Sequence, residues 1–203
     1  MLSKVFKDEV SKPNEIEYSL LLILILTLSF QTLTKADDIS DFEIEGMSIG
    51  DSLVDHFSEE FIETHISYGD NYKSKEFFDI EILNHAKFET YDAVQIAVKS
   101  NNKKFTIHGI DGIKFYKDIN QCLKDHKDII EELSLLFNNA EKYDRKKISH
   151  PSYANSFTTD TFLTLLNGNK VVISCYDYSE NLSFRDQLRV SMWTKELNAW
   201  LIR

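Results

Sequence analysis

Residues 157–179 read FTTDTFLTLLNGNKVVISCYDYS. Two runs rich in Thr, Val, Ile and Phe flank Asn167–Gly168. An Asn-Gly step between such runs marks a hairpin, because its residues tolerate the positive φ that a tight turn needs. In the second run Val171, Ile173 and Cys175 occupy alternate positions, so they share one face of a strand. The run QLRVSMW (187–193) adds a further strand with Leu188, Val190 and Met192 inward. Strands joined by short turns make an antiparallel sheet, and helices must cover one of its faces.

The same grammar occurs upstream. FFDIEIL (77–83) alternates Phe78, Ile80 and Ile82 with Asp79 and Glu81. YDAVQIAVK (91–99) puts Val94, Ile96 and Val98 on one face, and KFTIHGI (104–110) points Phe105 and Ile107 to the core. Asp111–Gly112 reads as a turn before IKFY. Asp118 then opens the longest helical pattern, DINQCLKDHKDIIEELSLLF (118–137). Ile119, Cys122, Leu123, His126, Ile130, Leu133 and Phe137 form one apolar stripe, and Asp118 with Gln121 resembles a capping box.

Shorter helices frame these units. Ser48 or Asp51 is placed to cap a short helix burying Leu53, Val54 and Phe57. Ser58 caps a helix whose Phe61, Ile62, His65 and Ile66 face the core. Thr194 caps a C-terminal helix carrying Leu197, Trp200 and Leu201 on one side. Residues 138–156 are polar and read as the longest loop. The expected fold is therefore α+β: an antiparallel sheet of about six strands in two hairpin-strand-helix halves, with the helices on one face.

The N-terminal 36 residues are of another kind. Tyr18–Phe30 is dominated by Leu and Ile and would rise only about 20 Å as a helix, against about 30 Å of hydrocarbon. That length suits a signal peptide, and Thr34 and Ala36 are small residues suitably placed for cleavage after Ala36. Lys4, Lys7 and Lys12 are offset by Asp8, Glu9, Glu15 and Glu17, and a start nearer the apolar run would account for this unusual n-region. The expected layout is 1–36 as extension and signal peptide and 37–203 as one α+β domain. The expected location is periplasmic or secreted, the alternative being an anchor formed by residues 18–33 left uncleaved.

Composition limits the partners. The formal charge is −10, from 23 Lys and Arg against 33 Asp and Glu, which argues against general nucleic-acid binding and adhesion to anionic lipid. With 14 Phe and 9 Tyr the chain can fill a core. Two cysteines, Cys122 and Cys175, both fall on apolar phases of their elements. In an exported chain they are expected to be bonded, closing about 50 residues for roughly 4 kcal/mol.

No motif for chemistry stands out. GxSxG, HExxH, CxxC, Walker A and GxGxxG are all missing from the sequence. The acidic lead 37–45 lacks calcium-loop spacing, and Cys122 with His126 has no second pair for zinc, so no metal or cofactor is expected. CYDYSENLSFRD (175–186) is the one candidate binding patch, with Tyr176, Asp177, Tyr178, Phe184 and Arg185 around a hairpin end.

Three stretches also carry a resemblance: FEIEGMSIGDSLVDHFSEE (42–60), CLKDHKDIIEELSLLF (122–137) and SCYDYSENLSFRDQLRVSMWTKE (174–196). Together with SFQTLTKADDISDF (29–42) they resemble a set of small exported proteins of unknown function from marine alphaproteobacteria. GMSIGDSLVDHF (46–57) is also similar to a helix of BamE-like outer-membrane assembly lipoproteins, although this chain lacks a lipobox cysteine. The resemblance implies no catalytic residues. The expected function is a non-enzymatic envelope protein that binds a partner protein or small ligand. The alternative is a periplasmic hydrolase assembled from distant residues such as His108 and Asp111.

Overall fold

Period-two patterning and short turns produce a single antiparallel sheet of eight strands in the computed structural model, which describes residues 38–67 and 75–202. The strands are β1 (Ile66–Ser67), β2 (Phe77–Leu83), β3 (Ala93–Lys99), β4 (Ile107–Tyr116), β5 (Glu141–Ser149), β6 (Phe157–Thr164), β7 (Lys170–Asp177) and β8 (Asp186–Trp193). They lie in the order β1-β2-β3-β4-β8-β7-β6-β5. Each half is thus a meander, and the halves join where β4 pairs with β8. Among the described residues the helices are α1 (Glu59–Thr64), α2 (Ile119–Leu136) and α3 (Lys195–Leu201). The apolar run 18–33 and the cleavage step after Ala36 lie outside the described residues.

α2 forms where its stripe predicts. Asp118 caps it by accepting from the Asn120 N–H at 2.9 Å, while Gln121 donates to Asp125 instead of closing a capping box. Cys122, His126, Ile130, Leu133 and Phe137 are buried, but Leu123 sits on the flank and is 37% exposed. The helix packs on β7 and β8. There it meets the face carrying Val171, Ile173, Cys175, Leu188, Val190 and Met192, all buried. Each of these Val, Ile, Leu and Met side chains contributes about 1.5–3 kcal/mol by leaving water. His126 Nε2–H donates across this interface to the Ile173 carbonyl at 3.1 Å. Cys122 and Cys175 are disulfide-bonded, with Cα atoms 6.0 Å apart.

The N-terminal segment adds to this core. Ile39, Phe42, Ile44 and Met47 are buried, and the Phe42 ring lies 4.8 Å from that of Phe137. Glu45 pins the segment to the β2–β3 connection by accepting the backbone N–H groups of Glu89, Thr90 and Tyr91 at 2.7–2.8 Å. GMSIGDSLVDHF forms turns and a short 3-10 helix (Leu53–Asp55) rather than an α-helix, with Gly46 and Gly50 at φ 76° and 96°. Within it only Met47 and Leu53 are buried; Val54 and Phe57 stay half-exposed. In α1 Ile62 is buried, and the Ser58 hydroxyl caps by accepting from the Phe61 N–H at 3.2 Å.

Three expectations need correction. There are eight strands, not six, because β1 has two residues and β5 lies in the stretch read as a loop. β5 is an edge strand, largely exposed, so EKYDRKKIS shows no apolar alternation. Asp111–Gly112 is not a turn but lies inside β4. A Cβ at Gly112 would come 2.7 Å from the Tyr91 ring, so this glycine serves close packing. Nor do the helices share one face. Leu197 and Trp200 of α3 pack with Phe77, Ala97 and Trp193, on the face opposite α2.

Candidate functional site: a polar groove across the sheet

The face opposite α2 carries an unusual row. In an antiparallel sheet, residues directly paired across strands point to the same side. Gln95 pairs with Asp111 across β3–β4, and Arg189 with Ser174 across β8–β7. Ser174 pairs with Asp160, and Asp160 with Arg145. Asp79 on β2 and Arg189 stand diagonal to Gln95 and Asp111. A line of polar side chains thus runs across the strands from β2 to β5. Their chain neighbours Ile80, Ile96, Ile110, Val190 and Ile173 fill the core on the other side.

The row is buried despite its charge. Asp79, Asp111 and Asp160 are 5%, 8% and 4% exposed. Buried carboxylates must be paired and hydrogen-bonded to stay ionised. Gln95 Nε2 donates to Asp79 at 3.0 Å. Arg189 donates to Gln95 Oε1 at 2.9 Å and to Asp111 at 3.1 Å, and the Trp193 indole N–H donates to the other Asp111 oxygen at 3.1 Å. Arg145 donates to Asp160 at 2.8 Å, as does the Thr158 hydroxyl at 3.2 Å. Burial opposes the Arg189 charge, but the Asp111 carboxylate beside it holds its pKa above the ordinary value. The Nε atoms of Arg145 and Arg189 are buried and have no hydrogen-bond partner among the described residues.

These side chains line a groove of about 440 Å3. Phe162, Val172, Tyr176 and Trp193 supply apolar surface, and Leu201 at the end of α3 and Ile202 after it also line the groove. Arg145 and Lys170 flank one ring, lying 4.8 and 5.9 Å from the Phe162 centroid. Such a mix of apolar wall and few placed polar groups is the chemistry of a small-molecule site, and the volume falls within the usual range of roughly 300–1,000 Å3.

The expected patch at 175–186 is assembled only in part. Tyr176 and Tyr178 stack at 5.9 Å, and Phe184 lies 5.3 Å from Tyr178. His150 and Tyr153, from the segment before β6, complete this cluster, with Tyr153 5.1 Å from Phe184. Arg185 turns away, its guanidinium 4.3 Å from the Phe115 ring centroid. Asp177 ends β7, paired with Phe157. Burial pushes the Tyr178 phenol up to about 12 and raises Tyr176 too, so both are neutral hydroxyls. Of the five patch residues, Tyr176 alone also lines the groove.

His108 and Asp111 do not form a dyad. His108 Nδ1 faces Glu196 at 3.5 Å, while the Asp111 oxygens are occupied by Arg189 and Trp193. Burial lowers the His108 pKa. The Cys122 sulfur is taken by its disulfide, and among the described residues no group of three or more His, Cys, Asp or Glu is placed to hold a metal ion. Compared with known proteins, the chain matches no family model, and no curated protein or solved structure is significantly similar to it.

Proposed function

We propose that this is an exported, non-enzymatic binding protein of the cell envelope that holds a small ligand in the sheet groove. The observation that carries the reading is the buried polar row. Sheet stability would be served as well by apolar residues at those positions, as on the α2 face. Replacing buried ion pairs by hydrophobic residues is often neutral or stabilising, so a row of them that sheet stability does not require supports a binding role. The disulfide suits an oxidising compartment. No helix among the described residues is long and apolar enough to cross a membrane.

Thermal unfolding against a panel of organic acids, amino acids and saccharides tests the binding. A ligand at about a hundred times its Kd stabilises by about 2.7 kcal/mol, or roughly 5–10 °C for a chain of this size. Val172, buried on the groove floor, is the control: Val172→Phe fills the groove and is expected to abolish the shift. A panel without effect, or one that shifts both proteins equally, contradicts the reading. Export is tested separately by N-terminal sequencing of the protein from the envelope fraction. A mature start at or near Asp37 is expected, and an intact residue 1 in the cytosolic fraction would contradict it.

A further inference from the structure

We infer that the groove selects ligands bearing a carboxylate, seated between Arg145 and Lys170, with their apolar part against Phe162 and Trp193. This rests on the binding role proposed above and adds the ligand's charge and orientation.

The row is electrically polarised. On the β2–β4 side Asp79 and Asp111 share the single cation Arg189. On the β5–β7 side Arg145 and Lys170 share the single groove carboxylate Asp160, which is already engaged by Arg145 and Thr158. Among the described residues the Lys170 ammonium forms no ion pair, and its contact is the Phe162 ring. The buried Arg145 Nε–H also lacks an acceptor there. A buried donor without an acceptor carries a desolvation cost that a ligand oxygen removes. A carboxylate accepts from both cations through charge-assisted hydrogen bonds, which are stronger than neutral ones. Trp193 pairs across the ladder with Lys170, so an aromatic or aliphatic body attached to that carboxylate reaches its ring. The indole N–H itself is held by Asp111, which fixes the ring as a wall.

The probes are phenylacetate, its neutral isostere phenylacetamide and the cation phenethylamine. Each is titrated into the isotopically labelled protein while the Trp193 indole N–H resonance is followed. The Trp200 indole, packed with Phe77 and Leu197, is the internal reference. Phenylacetate is expected to shift Trp193 saturably and to bind roughly tenfold more tightly than phenylacetamide. Lys170→Ala should weaken phenylacetate by a similar factor and leave phenylacetamide unchanged, with Lys170→Arg restoring the acid. If the amide or amine binds as well as the acid, or Lys170→Ala has no effect, the carboxylate assignment is overturned while groove binding stands. If none of the three moves Trp193, the carboxylate assignment with an aromatic body against Trp193 is overturned, and the ligand panel above decides groove binding by itself.

Discussion

Cys175→Ser is expected to lower the free energy of unfolding by roughly 2–5 kcal/mol. The bond joins α2 to β7 across 53 residues of chain, and both cysteines are fully or almost fully buried. Removing it frees the unfolded chain and leaves an unpaired thiol and a hydroxyl against Ile173 and Leu188. The paired variant Cys122→Ala/Cys175→Ala separates these effects, because it loses the cross-link without burying new polar groups. Urea unfolding of the three proteins checks this. A midpoint unchanged in both variants, or two thiols reactive in the native protein before reduction, would contradict the bond. The groove faces away from α2, so a panel ligand should still bind whichever variant remains folded.

Arg189→Ala has a comparable expected cost, about 3–5 kcal/mol, for a different reason. Arg189 is about three-quarters buried and holds both Gln95 and Asp111. Its removal leaves the Asp111 carboxylate with the Trp193 indole as its remaining donor in the row. Breaking a buried pair costs more than the pair itself contributes, because one charge stays buried without its partner. Adding Asp111→Asn should therefore recover part of the loss. A single variant that loses less than about 1 kcal/mol would show that Arg189 and Asp111 behave as a surface pair.

The sheet was legible in the sequence wherever one strand face meets the α2 core. Val171, Ile173 and Cys175, or Val94, Ile96 and Val98, can be read as one face because Lys170 and Ser174, or Gln95, interrupt the opposite one. The same rule hid β5, whose exposure on both faces leaves no alternation to read. It also hid α3's position, since Leu197 and Trp200 give a stripe but not the face it covers. The groove was the least legible part. Asp79, Gln95, Asp111 and Arg189 each sit at the polar phase of a strand, where solvent exposure is the ordinary reading. Only the register of six strand pairings places polar residues from β2 to β5 in one row. The aromatic cluster was half legible: Tyr176, Tyr178 and Phe184 are close in sequence, whereas His150 and Tyr153 arrive from the β5–β6 connection.

The binding role is tested most directly by crystallising the protein with whichever panel compound raises its melting temperature most. Electron density for the compound is expected in the groove, between the Phe162 and Trp193 rings and within hydrogen-bond distance of the polar row. Density for the compound on the α2 face or the N-terminal segment, with the groove holding only solvent, would contradict it.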